Sequence, residues 1–135
     1  MSLLADTSGV LVLLDADHAL HHAARSLLER EVLIVPSSIL GEVDYLANAR
    51  LGAQTARAFL EDTVTGAYDF VQVELEDMRR ALALMQQYRD AHIGFVDASI
   101  VALAERYRLR RILTLDSRHF SLFRPAGLGH LELLP

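Results

Sequence analysis

Short apolar runs alternate along this chain with longer stretches in which apolar residues recur every three or four positions. The runs read as buried strands and the periodic stretches as helices. Leu3 to Ala5 is a first strand, followed by a helix from about Thr7 to Leu14 that Asp6 is placed to cap. Ala19, Ala23, Leu27 and Leu28 recur on one side of a second helix, His18 to Arg30. Val32 to Val35 is a second strand, stopped by Pro36; Ser37 or Ser38 then opens a helix with Ile39, Val43, Leu46 and Ala47 on its apolar face. Gly52 parts this helix from another over Ala53 to Thr63, which Gly66 ends. Phe70 to Val73 is a third strand, and Glu74 to Tyr88 a long amphipathic helix with Met78, Leu82 and Met85 on its inner stripe. Gly94 precedes a helix from Asp97 to Tyr107, Arg111 to Leu115 is a fourth strand, and Leu131 to Leu134 supplies a last short one.

Strands separated by helices predict an α/β fold, with a short, mainly parallel sheet and helices on both faces, built from residues 1–135 as one domain. In such sheets ligand groups gather beyond the carboxyl ends of the strands. Asp6 and Asp116 fall at those ends.

The chain is 135 residues long and 52% hydrophobic, enough to bury a core without staples. It has no cysteine, which removes disulfides, thiolate zinc sites and cysteine nucleophiles together. No apolar run reaches membrane-spanning length, and Asp6 interrupts the first apolar stretch too early for a signal peptide, so a cytoplasmic protein with no membrane contact is expected. The formal charge is −5, unevenly divided: residues 1–78 carry −9 and residues 79–135 carry +4, every basic residue being Arg. A nucleic-acid footprint would draw on the second half, where guanidinium forks suit phosphate.

Four acids concentrate the chemistry. Asp6 and Asp116 follow the first and fourth strands, Glu42 borders the apolar face of its helix, and Asp97 stands in the first turn of another. Read singly, each has another role open to it: Asp6, Asp97 and Asp116 as caps, Glu42 as a solvated edge residue. Read together, desolvated carboxylates repel one another and require cations or protons. Oxygen donors without His or Cys favour Mg2+ or Mn2+, ions suited to phosphodiester hydrolysis. His18 and His22 have metal-gripping spacing on a polar helix face, where surface roles are commoner, and Arg118 and His119 beside Asp116 are placed to meet phosphate or to cap a turn. A receiver domain or a dehalogenase-like phosphatase would also set acids after parallel strands, but both need an active-site lysine and this chain has no lysine.

The strings Leu4-Ala5-Asp6-Thr7-Ser8, Leu40-Gly41-Glu42-Val43, Gly94-Phe95-Val96-Asp97-Ala98-Ser99-Ile100 and Leu113-Thr114-Leu115-Asp116-Ser117-Arg118-His119-Phe120 resemble the motifs of the PIN-domain family, in their expected order and over nearly the whole chain. Length and layout resemble the VapC-type toxins of bacterial toxin–antitoxin pairs. The resemblance implies a Mg2+- or Mn2+-dependent endoribonuclease that hydrolyses RNA with a metal-activated water. Asp6 and Asp97 would coordinate the metal most directly, and Glu42 and Asp116 would complete the pocket or orient the water. Thr7, Ser8, Ser99 and Arg118 are candidate contacts to substrate or water, and Thr114 is expected to be structural. The resemblance further implies a homodimer and an antitoxin partner. Two alternatives are a non-catalytic module that binds RNA or protein and an RNA-processing nuclease that is not a toxin.

Overall fold

The computed structural model describes residues 1–135. The strands are β1 (Ser2–Ala5), β2 (Val32–Pro36), β3 (Asp69–Val71), β4 (Arg111–Leu113) and β5 (Glu132–Leu134). They form one sheet in the order β3-β2-β1-β4-β5, with every neighbouring pair parallel. Seven helices connect them: α1 (Thr7–Leu14), α2 (His21–Leu27), α3 (Leu40–Leu51), α4 (Ala53–Thr65), α5 (Leu75–Gln87), α6 (Phe95–Tyr107) and α7 (Ser117–Phe120). Leu3, Leu4 and Ala5 are all buried, as are Leu33, Ile34 and Val35, so the central strands are covered on both faces and consecutive apolar residues suit them better than alternation. The expected α/β architecture is the observed one.

Strand order fixes where a site can lie. From β1 the chain crosses first to β2 and β3 on one side, and only later to β4 and β5 on the other. The sheet order therefore reverses between β1 and β4, and the loops leaving their carboxyl ends part there to leave a crevice. Leu4 pairs with Ile34 on one side and Ile112 on the other, so Asp6 and the residues after Leu113 emerge together. Gly9 makes the approach of α1 possible: a Cβ there would lie 2.1 Å from the Leu113 carbonyl oxygen. Only glycine lets α1 rest directly on the end of β4.

Several element limits differ from the expectation, each for a local reason. The second helix begins at His21 instead of His18, because the His18 ring accepts from the Leu20 N–H and holds a turn; Ala24, not Ala23, is its buried residue. The third strand is displaced to Asp69–Val71, since the Val73 N–H donates to Ser37 Oγ instead of to a ladder. β4 ends at Leu113, where hydroxyls take over the backbone: Leu115 N–H donates to Ser8 Oγ and Asp116 N–H to Thr114 Oγ1. On α5 the buried residues are Asp77, Ala81 and Leu84, while Met78 and Leu82 are exposed. Asp77 turns inward because it closes the capping box with Glu74 and pairs with Arg106 of α6 at 2.8 Å, and Ala81 lets the two helices approach closely. Helix α6 is buried at every position from Ala98 to Ala104, which explains its nearly continuous apolar sequence.

Candidate active site

Asp6 is the N-cap of α1 and is only 5% exposed. Its Oδ1 accepts from Gly9 N–H and Ser8 Oγ, both at 2.8 Å, and its Oδ2 accepts from Thr114 Oγ1 at 2.6 Å. The alternatives of cap and site residue are thus not exclusive, since one carboxylate has lone pairs for both. Burial is the largest influence on its proton and raises its pKa; the Thr114, Gly9 and Ser8 bonds oppose that rise, and the charge of Asp116 adds to it. Thr114, expected to be structural, links two of the acids: it donates to Asp6 and accepts from Asp116 N–H at 2.8 Å.

Asp116 caps the short helix α7, accepting from His119 N–H at 3.0 Å. The His119 ring folds back so that Nδ1 lies 2.9 Å from Asp116 Oδ2 and 3.8 Å from Asp97 Oδ2. Ligand atoms of Asp97, Asp116 and His119 all lie within 4.8 Å of one another. Asp97 differs from the other two acids in having no structural duty, since Gly94 occupies the cap position of α6. The contact from His119 to Asp97 is too long for a hydrogen bond. Asp97 is 24% exposed, and its pKa is pushed up to about 6, by burial first and then by the charges of Asp116 and Asp6, with Glu42 adding and His119 opposing.

These groups open into one cavity of about 540 Å³ between α1, α3 and the start of α6. Glu42 stands on its α3 wall and is exposed, so of the two positions open to it the solvated edge is the one found; Leu46 and Arg50 follow it at helical spacing. Thr7 and Ser8 line the cavity as anticipated. Ser99 does not, being fully enclosed, with its hydroxyl bonded to Val96 O and Ser38 Oγ. Arg118 also falls outside: on the one turn of α7 it points to solvent and His119 takes the inward place. His18 lies off the helix, so the His18–His22 grip does not form; His21 Nδ1 sits 2.9 Å from the Val12 carbonyl oxygen. Sequence reasoning did not single out Arg50 or Phe95, which also line the cavity. A signal for Arg50 was present in its spacing from Glu42, whereas Phe95 was masked by reading its helix as starting two residues later.

The donor set fits a hard divalent cation. Asp6 and Asp97, both with raised pKa values, line the cavity together with Asp116, and Thr7, which lines it too, has its Oγ1 buried without a hydrogen-bond partner. Residues 3–124 match the family described as PIN domain. The chain belongs to the PIN domain family. Over 135 residues, covering 98% of this chain and 100% of the relative, it is 36% identical to Ribonuclease VapC26 of Mycobacterium tuberculosis. Among solved structures, VapC20 of M. tuberculosis, described as a sarcin-ricin loop cleaving toxin, superposes with a TM-score of 0.81 at 22% identity, covering 98% of this chain and 99% of that one. A toxin–antitoxin complex from Klebsiella pneumoniae gives 0.64 at 22% identity, with 93% and 92% of the two chains covered. These likenesses show that the five-stranded sheet and its crevice are the PIN arrangement. The matched span contains all four of the motifs read from the sequence. No helix of this PIN domain is long and apolar enough to cross a membrane.

Proposed function

We infer that this PIN domain is a Mg2+- or Mn2+-dependent endoribonuclease and the toxin of a toxin–antitoxin pair, held in the cytoplasm as a homodimer or with its antitoxin. The observation that carries the reading is Asp97: a carboxylate without a structural partner, driven to a pKa of about 6 by burial and by neighbouring acids in an open cavity. Folding gains nothing from such a group, and a cation relieves it. The name of the relative, a ribonuclease, selects RNA among the phosphodiesters that such a site can cut.

Asp6, Asp97 and Asp116 would hold the cation, with Glu42 lining the same cavity and Thr7 Oγ1 available as a further oxygen. When bound, it would supply positive charge against the phosphate and lower the pKa of a water. The protein's own groups do the orienting. Ser8, Gly9 and Thr114 fix both oxygens of Asp6, and His119 steadies Asp116. Glu42, exposed and without the bonds that tie Asp6, is placed to accept a proton from the attacking water. Hydrolysis forms a bond from the water oxygen to phosphorus and breaks one from phosphorus to a ribose oxygen.

The test is cleavage of total RNA with Mg2+, Mn2+ or chelator, alongside Asp97→Asn and Asp6→Asn proteins checked for folding. Cleavage that needs the cation and is lost in both variants is expected; equal cleavage by wild type and variants would sink the site. Expression alone should arrest growth and co-expression of a short antitoxin should relieve it, whereas harmless expression of an active enzyme would remove the toxin role.

A further inference from the structure

A cavity lined by carboxylates has a difficulty with its own substrate, because its charge repels the phosphates that it must admit. A cation offsets this at the scissile phosphate only. The rest of the rim must supply attraction of another kind, and two residues there have no other evident task.

The first is Phe95. It is the first residue of α6, two positions before Asp97, and it lines the acidic cavity while 41% exposed. Of the other phenylalanines, Phe59, Phe120 and Phe123 are buried in the core, and the exposed Phe70 does not line the cavity. Helix α6 does not need the ring for packing, since its burial runs from Ala98 onward. In front of the neighbouring Gly94, which also lines the cavity, a Cβ would meet nothing within 4 Å. The ring therefore borders open space large enough for a ligand, at about 540 Å³.

The second is Arg50. Arg79, Arg80, Arg106 and Arg111 each pair with a carboxylate, whereas Arg50, like eight other arginines, makes no salt bridge, and Glu42 on its own helix is two turns away and out of reach. It lies on the wall of the acidic cavity and also borders a second hollow of about 130 Å³ lined by Ser8, Leu11 and Asp15. Its guanidinium is a cation at the boundary of an anionic chamber, where a chain of phosphates leaving that chamber would pass. Arg suits this place better than Lys, since its planar fork takes two phosphate oxygens at once.

We propose that the mouth of this cavity is a nucleotide subsite, in which Phe95 stacks on an unpaired base next to the scissile phosphate and Arg50 binds a neighbouring phosphate. This rests on the nuclease reading and adds to it two residues that position the strand beside the scissile phosphate. A base in a duplex has both faces covered by its neighbours and offers none to a phenyl ring. Stacking tolerates any base, so the subsite selects exposure and not sequence.

The experiment measures binding separately from cleavage. A fluorescein-labelled single-stranded RNA 12-mer of mixed sequence and the corresponding blunt duplex are titrated with the full chain by anisotropy. Titrations are made in Ca2+, a hard cation for oxygen-rich sites, from 50 to 200 mM salt, with intact RNA verified on a gel. Phe95→Ala should weaken single-strand binding about 10-fold, within the roughly 5- to 150-fold that one stacked base is worth, with no change in salt dependence. Phe95→Tyr should stay within about twofold of wild type, and Phe95→Leu, which keeps apolar bulk without a π face, should resemble Ala. Arg50→Ala should weaken binding and reduce the salt slope by about 0.7, the share of one phosphate in a single strand. Duplex affinity should be lower and indifferent to Phe95→Ala. If wild type binds the 12-mer but Phe95→Ala and Phe95→Leu bind it equally well, the subsite is wrong and the nuclease reading stands. If wild type binds no single-stranded RNA, the nuclease reading falls and the subsite with it. A loss in Phe95→Leu matched by an equal loss on duplex would overturn the stacking role as well.

Discussion

Removing the charge of Asp97 should make the protein more stable, and the pH at which it does so follows from the site. The folded chain holds the Asp97 proton up to a pH of about 6, against an ordinary value of 3.8, because burial and the charges of Asp116 and Asp6 disfavour the carboxylate. Between those pH values the folded state binds more protons than the unfolded state, so stability falls as pH rises through this window and the loss is complete above it. A shift of about two units at 1.36 kcal/mol each sets a ceiling of about 3 kcal/mol on that loss. Asn in its place has no proton to lose, but its amide still needs partners in a half-buried position, so a net gain of about 1–3 kcal/mol is expected. Urea unfolding in chelator at pH 7.5 and at pH 4 measures it. Asp97→Asn should exceed wild type at the higher pH and match it at the lower. Mg2+ or Mn2+ at 100 times its dissociation constant should then stabilise wild type by about 2.7 kcal/mol and leave the Asn variant nearly unmoved. An Asn variant less stable than wild type at pH 7.5, or equally favoured at both pH values, would refute the account of Asp97 as an uncompensated charge.

Gly9→Ala places a Cβ 2.1 Å from the Leu113 carbonyl oxygen, a backbone atom that cannot swing away, and should cost about 3 kcal/mol in urea unfolding while weakening RNA cleavage through the displaced Asp6. Thr114→Val removes a donor to Asp6 and an acceptor from Asp116 N–H; about 2–3 kcal/mol should be lost, the Asp6 proton should leave at higher pH in a carboxyl NMR titration, and Thr114→Ser should restore both. Asp77→Ala removes a buried carboxylate that pairs with the partly exposed Arg106 and accepts the capping bond from Glu74 N–H, so unfolding should become easier by about 1–2 kcal/mol with RNA cleavage unchanged at a temperature where the variant is folded.

Much of this was legible from residue order, and the exceptions share a cause. The sheet could be read because β1, β2 and β4 are buried on both faces and therefore continuous in apolar sequence. The four acids could be found because they sit at element ends, where spacing and the family motifs both point. What misled was any position decided by a polar side chain of distant sequence. Met78 and Leu82 are more apolar than Asp77 and Ala81, yet α5 turns the latter inward because Arg106, some thirty residues on, neutralises Asp77. Ser99 looked available in the motif and is sealed by Ser38 from another element, whereas Thr114 has the structural part expected of it, as the bond between Asp6 and Asp116. Arg118 and His119 are adjacent, and only the turn of α7 decides which enters the cavity.

The acids also differ in how much of the fold depends on them, and this bears on how the site should be probed. Asp6 caps α1 and receives bonds from Ser8, Gly9 and Thr114; its replacement removes acceptors from buried donors as well as a cation ligand. Asp116 caps α7 and orients His119, so its loss disturbs the segment that carries the ring. Inactivity of either variant would mix chemistry with local unfolding. Asp97 carries no such duty: its helix is capped by Gly94 and held by the buried run from Ala98 to Ala104. A variant that folds more tightly and cuts nothing separates the two effects, because a merely structural residue cannot be lost with a gain in stability. Asp97 is thus the position at which the cost of holding charge in the crevice can be measured apart from the fold that builds it.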